Sequence, residues 1–308
     1  MKINLGAFVN HWRTQNGLSV EELANGIMDR STLSRFESGQ IMPGKENLEA
    51  IFSRLGINPN SFASIYLDEG VAATEKVKAE LDHHLAHGNT GEANELISQL
   101  ENNNKFKKNK FNMQHLLASK AANAVNLGEP AEAVLKILDQ AISSVWHDFN
   151  ESSVRGYQLT HIDIKILNMK AMALFDLGEK DRGIALLFAL KENIESRTLD
   201  KEERGKRLPQ IIYHLAMYLG QIAKHKTEYI QISDICEHGR KMCIATGYLF
   251  FLPNILMVKA DARLLLGDED GCCKLLIQSF HIFEACERYE EMGVIKSYAA
   301  DNNLGIAF

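Results

Sequence analysis

The sequence predicts an all-α protein with two parts, a small N-terminal domain of short helices and a longer array of helix pairs. Proline is scarce, with 5 among 308 residues, and runs of β-branched residues are few. Both features favour helix over strand. A chain of 308 residues is also long enough for more than one folding unit.

The first two helices have clear boundaries. Residues 5–16 form the first predicted helix, and Gly17 follows at the position where a glycine commonly ends a helix. Ser19 and Glu22 have the spacing of a capping box, which predicts a second helix that begins just after Ser19. Leu23 lies on the buried side of that helix.

The third helix is the one of functional interest. Asp29 or Ser31 can cap its start, Leu33 and Phe36 point inward, and Gly39 closes it. Its remaining side chains are short, polar or basic and are expected to face solvent. A tight turn joins it to the second helix, as in a helix-turn-helix that presents a recognition helix to the DNA major groove.

Two more helices complete the predicted domain. The fourth covers 45–55 and ends at Gly56, and Pro59 opens a short fifth helix that includes Phe62 and Ile65. Five helices in about 65 residues make one compact domain.

These motifs resemble the XRE/Cro-type helix-turn-helix family over residues 5–66. The resemblance rests on Gly-Leu-Ser-x-Glu-x-Leu-Ala at 17–24, Ser-Thr-Leu-Ser-Arg-Phe-Glu-x-Gly at 31–39, and Pro43. It implies a DNA-reading face formed by Arg30, Ser31, Thr32, Ser34, Arg35 and Lys45. Arginine binds guanine O6 and N7 with two hydrogen bonds, so Arg30 and Arg35 are the expected base contacts. Serine and threonine suit phosphate or methyl contacts.

Two further positions are assigned by the same resemblance. Arg13 and Glu37 occupy the places of a structural ion pair in the family, so we expect them to stabilise the fold and not to contact DNA. The family often has glutamine at the second position of helix two, where this chain has Val20. That base-supporting contact is therefore expected to be absent or apolar.

The charge of the N-terminal segment is balanced. Residues 1–66 contain six basic and six acidic residues, so the remainder of the chain carries the net charge of −6. A neutral domain is expected to have weak non-specific affinity for DNA, which two domains held together would offset.

The remainder of the chain shows an internal repeat. Glycines that follow a helical segment recur at Gly88, Gly128, Gly178, Gly220 and Gly267. A small residue is expected five positions after the glycine and an aliphatic residue nine positions after it, as at Ala133 and Ile137. The Gly220 unit departs most from this pattern.

The pattern resembles tetratricopeptide repeats, which are stacked helix pairs that form a solenoid with a concave groove. The resemblance implies groove positions upstream of each turn glycine, Met217 and Asp261 among them. The expected peptide-binding residues are Asn126, Asn168, Phe175, Arg207, Gln210, His214, Tyr218, Asn254 and Met257. Amides can pair with a peptide backbone, and Met or Phe can form adaptable side-chain pockets.

As a whole, the chain resembles the Rgg/PlcR/PrgX group of peptide-responsive regulators, and the Rgg branch most. This implies a DNA-binding domain at 1–68 and, at 69–308, a repeat domain for peptide binding and dimerisation. The implied partners are double-stranded DNA, a short signalling peptide and a second copy of the chain. The implied function is transcriptional regulation in quorum sensing.

Other classes of function have weaker support in the sequence. No apolar run is long enough for a membrane span or an export signal, so we expect a cytoplasmic protein with no membrane partner. His83 and His87 could hold a metal, but no third ligand follows at a compelling spacing. Phosphate-binding loops and nucleophile elbows are absent. We therefore expect no cofactor, no metal and no catalysis, although an enzyme remains a remote alternative.

The nearer alternative is a regulator without a peptide ligand. In that case the repeat region would only dimerise or bind a protein partner.

Overall fold

The computed structural model describes residues 5–57, 69–197, 199 and 201–308, with the side chains of the second range described from residue 76. All regular secondary structure within these ranges is helical, which confirms the predicted all-α class. The chain divides into two compact units, residues 1–200 and 201–308. Each unit is described separately below.

The first unit begins with four short helices: α1 (Leu5–Gln15), α2 (Val20–Ala24), α3 (Arg30–Glu37) and α4 (Lys45–Leu55). They enclose an apolar core that includes Leu5, Val9, Leu23, Leu33, Phe36, Ile51 and Phe52. The predicted fifth helix at Pro59 lies outside the described residues, as does the predicted domain boundary at 68/69.

The caps of these helices follow the sequence signals. The Glu22 backbone N–H donates to Ser19 Oγ at 3.1 Å, and the Ser19 N–H donates to Glu22 Oε2 at 2.7 Å, which completes the capping box. Gly56 ends α4 in the left-handed region at φ 73°. Asp29 is the N-cap of α3, although its side chain makes no capping hydrogen bond.

Helix pairs make up the described residues from 69 to 197. The helices are α5 (Glu69–Ala86), α6 (Thr90–Asn102), the short α7 (Asn104–Lys107), α8 (Lys110–Asn126), α9 (Ala131–Ser143), α10 (His161–Asp176) and α11 (Lys180–Ser196), with a 3-10 turn at Glu151–Gly156. Gly88, Gly128 and Gly178 all have positive φ in the turns within the pairs α5–α6, α8–α9 and α10–α11.

The second unit contains two helix pairs and a final helix. These are α12 (Lys201–Ile222) with α13 (Lys226–Thr246), α14 (Leu252–Leu265) with α15 (Glu269–Ala285), and α16 (Tyr289–Asp301). Gly267 forms the turn between α14 and α15 at φ 86°. The interpretation of Gly220 as a turn glycine was wrong, because α12 continues through it to Ile222.

Close approach of paired helices explains the predicted small residues. In α11, a Cβ atom added to Gly183 would lie 2.6 Å from the backbone oxygen of Ala171 in α10. Ala93 and Cys272 are fully buried at the matching positions of their pairs.

The α8–α9 pair departs from this register. Ala133 is exposed and Ile137 is half-buried, whereas the residues that follow them, Val134 and Leu138, are buried. The reason is the connection: α9 starts three residues after Gly128, with Pro130 as its N-cap, whereas α6, α11 and α15 start two residues after their glycines. The extra residue moves every inward position along by one.

Candidate DNA-reading face and ligand groove

Helix α3 separates its polar and apolar residues between two sides. Leu33 and Phe36 are 0% and 1% exposed and form part of the domain core. The predicted reading residues occupy the other side, where Arg30, Ser31, Ser34 and Arg35 are exposed and Thr32 is half-buried. Within the described residues, neither arginine makes an ion pair, so both guanidinium groups are available to a ligand.

Lys45, at the start of α4, is placed differently. Its side chain is only 10% exposed, and its Nζ atom lies 3.2 Å from Glu49 Oε1 one turn later. A phosphate contact would require Lys45 to leave this partner. The structure therefore favours the α3 residues over Lys45 as ligand contacts.

The structure brings Arg13 and Glu37 together in a bidentate ion pair. Arg13 Nε and Nη2 donate to the two Glu37 oxygens at 2.6 and 2.8 Å, and Nη1 donates to the Leu18 carbonyl at 2.7 Å. Asn10 Nδ2 also donates to Glu37, at 2.7 Å. The hydrogen bond with Glu37 raises the pKa of Arg13, so this guanidinium stays charged at any physiological pH. It fixes α1 to the last residue of α3.

A second arginine, which no sequence motif indicates, is buried at the end of α4. Arg54 is 1% exposed, and its guanidinium carbon lies 4.3 Å from the centre of the Trp146 ring. Its Nη1 atom donates to the carbonyl of Leu23 at 3.1 Å and to that of Asn25, both at the end of α2. Burial lowers the pKa of Arg54 to about 10, against the opposing effect of the Asp163 charge.

Asp163 is the acidic member of this buried group and is 0% exposed. Its Oδ2 atom accepts from the Thr160 backbone at 2.8 Å and from the Thr160 hydroxyl at 2.9 Å, as the capping box of α10. Its Oδ1 atom accepts from Gln114 Nε2 at 2.8 Å and from Trp146 Nε1 at 3.1 Å. Four donors thus hold one carboxylate beside the buried Arg54.

Other contacts join the four-helix segment to the repeats within the first unit. The His161 backbone N–H donates to Ser53 Oγ at 3.1 Å. Arg197 donates to the carbonyl of Leu159 at 2.7 Å and to that of Arg54. The start of α10 and the end of α4 are therefore linked by a buried polar network. Only a weak signal in the sequence indicates this network, namely that Arg54 lies beside apolar core positions.

The predicted peptide-binding residues differ in exposure. Five are buried, namely Asn168, Phe175, Arg207, His214 and Tyr218. Three are half-buried, namely Gln210, Asn254 and Met257, and Asn126 is exposed.

Several of these residues already have partners. Asn126 Nδ2 donates to the Leu85 carbonyl at 2.9 Å, and Arg207 forms an ion pair with Glu203 one turn earlier. The Oδ1 atom of Asn254 is buried and has no hydrogen-bond partner among the described residues. Burial lowers the pKa of His214 to about 4, so this imidazole is neutral at pH 7.

A cavity of about 290 Å³ lies in the second unit between α12, α14, α15 and α16. Met217, Met257 and Asp261, which are predicted groove positions, line it together with Tyr298. The Tyr298 hydroxyl donates to Asp261 Oδ1 at 2.6 Å. The cavity thus combines soft apolar walls with one anionic group, a lining that suits a side chain of a bound peptide.

The histidines of α5 form a surface group. The ring centres of His83 and His87 are 4.2 Å apart, and His87 Nδ1 lies 2.8 Å from the His83 carbonyl oxygen. In the described ranges, no three His, Cys, Asp or Glu residues are grouped so that they could hold a metal ion. None of the described helices combines the length and apolarity required to cross a membrane.

Comparison with known proteins agrees with this architecture. Residues 11–62 match the helix-turn-helix family HTH_3. The Bacillus thuringiensis PlcR structure, determined with the peptide PapR7 and DNA, superposes with a TM-score of 0.60 at 16% sequence identity, covering 96% of this chain and 99% of PlcR. This chain has the PlcR fold. The resemblance inferred from the sequence is thereby confirmed at the level of the fold.

Two streptococcal structures share the fold at similar identity. ComR from S. thermophilus, in complex with DNA and its signalling peptide ComS, gives a TM-score of 0.53 at 14% identity, covering 97% of this chain and 100% of ComR. The SHP pheromone receptor Rgg2 from Streptococcus dysgalactiae gives 0.50 at 16% identity, covering 96% of this chain and 99% of Rgg2. No curated protein sequence matches this chain. The preference for the Rgg branch stays a prediction.

Proposed function

We propose that this protein is a sequence-specific DNA-binding regulator of transcription whose repeat region binds a short signalling peptide. The observation that carries the DNA-binding proposal is the two-sided character of α3. Its Leu33 and Phe36 are fixed in the core, while three hydroxyl side chains and two arginines, unpaired within the described ranges, are presented outward. A rigid helix with this surface fits the major groove.

The roles of the individual residues follow from their chemistry. Arg30 and Arg35 bind guanine bases, and Ser31, Thr32 and Ser34 contact phosphates or thymine methyl groups. The ion pair between Arg13 and Glu37 keeps α3 at a fixed angle to α1 and does not itself contact DNA. Binding as a homodimer to two half-sites would offset the weak affinity of one neutral domain.

The peptide-binding proposal has two supports. Both PlcR and ComR, which share the fold, were crystallised with a peptide and DNA. In this chain, the Oδ1 atom of Asn254, which has no partner among the described residues, can accept a peptide N–H, and Met217 and Met257 line a cavity of suitable chemistry. The peptide acts by binding one conformation of the dimer better than another. The proposed location is the cytoplasm, and no catalytic role is proposed.

The DNA-binding proposal is tested by selecting bound duplexes from a random pool and then measuring affinity for the selected sequence. Arg35→Ala should lower specific affinity by about 1–3 kcal/mol and relax the preference at one base pair. Lys241→Ala, which changes an exposed lysine outside the helix-turn-helix, is the control and should leave that preference unchanged. An Arg35→Ala variant with unaltered sequence preference would refute the assigned reading face.

The peptide-binding proposal is tested by thermal denaturation with short synthetic peptides encoded beside the gene. A peptide that binds only the folded state raises the melting temperature by mass action. Asn254→Ala should weaken that response while leaving peptide-free DNA affinity intact, and Asn168→Ala should do the same if the buried amide reaches the groove. No stabilisation by any such peptide would favour the alternative, a repeat region that only dimerises or binds a protein.

A further inference from the structure

A segment of the repeat region carries an unusual local charge. Between Glu101 and Glu129 the sequence contains no acidic residue, although the whole chain has a net charge of −6. The same stretch begins with four lysines in six residues, namely Lys105, Lys107, Lys108 and Lys110, which together are called the lysine segment.

The local structure leaves Lys105, Lys107 and Lys108 exposed. The segment comprises the short helix α7 and the start of α8, and Phe106 anchors it because its side chain is 3% exposed in the apolar core beneath. Asn103 and Asn109 fix the two helix starts, through hydrogen bonds to the backbone N–H groups of Phe106 at 3.0 Å and Phe111 at 2.9 Å.

Three of the four charges of the lysine segment are uncompensated. Lys105, Lys107 and Lys108 are exposed, and none of them pairs with a carboxylate in the part of the chain described. The nearest acidic residue in sequence, Glu101, is engaged by Lys120, whose Nζ atom lies 2.6 Å from Glu101 Oε1.

The lysine segment lies beside the DNA-reading domain. Phe111, the residue after Lys110, packs against the apolar core of the four-helix domain. The charge of Lys110 interacts with that of Asp29, the N-cap of α3, and with that of Arg54. These contacts place Lys110, the last residue of the segment, near the start of α3, where Arg30 begins the reading face.

We propose that the lysine segment binds the phosphate backbone of the same duplex, next to the base pairs that α3 reads. The inference rests on the proposed DNA-binding function and extends the DNA interface from the helix-turn-helix onto the repeat region. The chemistry is ammonium to phosphate, which releases counterions and carries no sequence preference. It compensates for the helix-turn-helix segment, in which six basic and six acidic residues balance over residues 1–66.

The test compares the full-length protein with a triple variant, Lys105→Gln, Lys107→Gln and Lys108→Gln. Lys110 is kept because it is half-buried and close to Arg54. Affinity is measured on the selected duplex and on an unrelated duplex, over a range of salt from about 50 to 300 mM. Three phosphate contacts contribute about −2.7 to the slope of log K against log salt concentration. The slope of the variant should therefore be less negative than that of the wild type by about 2–3.

Affinity at the lowest salt should fall about 10- to 100-fold on both duplexes, and the ratio between them should not change. The matched control removes three exposed lysines of the second unit, in the variant Lys226→Gln, Lys241→Gln and Lys274→Gln. It changes net charge equally, and its slope should stay within about 1 of the original.

An unchanged slope in the first triple variant, or an equal loss in the control, would overturn the proposal. A wild-type protein that selects no duplex would instead refute the proposed function, so the two failures are distinguishable.

Discussion

The buried polar network around Arg54 predicts that two substitutions, Asp163→Asn and Arg54→Met, destabilise the fold by different amounts. Asp163→Asn keeps the size of the side chain but removes its charge and one acceptor oxygen. An asparagine can still accept from Gln114 and Trp146 through Oδ1. Its amide group would then face the two donors of Thr160, which lie 2.8 and 2.9 Å from the present carboxylate.

The expected cost follows from these contacts. Losing the cap of α10 costs about 0.5–2 kcal/mol. The buried Arg54 charge also loses the nearby carboxylate charge that opposes its desolvation, although the two groups form no direct ion pair. Leaving a buried charge without its countercharge costs about 3–5 kcal/mol in total. We therefore expect Asp163→Asn to lower the free energy of unfolding by about 3–5 kcal/mol.

Arg54→Met should cost less. Burial lowers the pKa of Arg54 to about 10 from 12.5, so keeping this charge costs roughly 3 kcal/mol, which methionine would recover. Against that gain stand the lost hydrogen bonds to the Leu23 and Asn25 carbonyls, about 1.5–3 kcal/mol each, and the contact with Trp146. The net loss should be about 1–3 kcal/mol, below that of Asp163→Asn.

The assay is equilibrium urea unfolding followed by tryptophan fluorescence. The chain has 2 tryptophans, so a Trp12→Phe background leaves Trp146, inside the network, as the reporter. The decisive result is which of the two variants loses more free energy of unfolding. An Arg54→Met variant less stable than Asp163→Asn would refute the reasoning, because it would show that the hydrogen bonds of the arginine outweigh the cost of burying its charge.

Three further predictions concern stability. Burial lowers the pKa of His214 to about 4, so the unfolded state binds a proton at a higher pH than the folded state does. The free energy of unfolding should therefore fall by about 3 kcal/mol as the pH drops from 7 to 4. In urea titrations, His214→Gln should show a smaller fall. Gly183→Ala should destabilise the protein by about 1–3 kcal/mol because its Cβ would meet a backbone oxygen at 2.6 Å. Gly220→Ala, where the added Cβ would meet no atom within 4 Å, should stabilise it by about 0.5–1 kcal/mol. Equal effects of the two substitutions would contradict the packing argument. In a double-mutant cycle by urea unfolding, Arg13→Ala and Glu37→Ala should couple by about 2–3 kcal/mol, and additive losses would rule out a structural ion pair.

Much of the fold could be predicted because its boundaries depend on local chemistry. The capping box at Ser19 and the left-handed turns at Gly88 and Gly178 require particular residues in particular places, so they can be read from the sequence directly. The polar side of α3 was equally predictable, since Leu33 and Phe36 identify the buried side by their spacing.

Two predictions from the sequence, the register of α9 and the turn at Gly220, were wrong for reasons that are also local. Pro130 lengthens one connection by a residue, which shifts the buried positions of α9 from Ala133 to Val134. Gly220 looks like a turn glycine, but in α12 the helical hydrogen bonds continue past it. A lone glycine cannot distinguish the two cases.

The polar network around Arg54 was beyond prediction for another reason. Its members come from α4, α8, α10 and the segment between α9 and α10, so their proximity is a product of tertiary packing. Nothing in the local sequence marks Arg54 as buried, since an arginine is usually exposed. The exposure of the predicted peptide-binding residues also depends on tertiary packing, so it could not be predicted from the sequence either.

The proposed function depends above all on the outward side of α3 entering the DNA major groove, and methylation interference on a selected duplex measures this contact. Methyl groups on guanine N7, which lie in the major groove, should block binding of the wild-type protein at specific positions. At one of these positions the block should disappear with Arg35→Ala. Interference confined to adenine N3 in the minor groove, or a guanine pattern identical in both proteins, would contradict a reading role for α3.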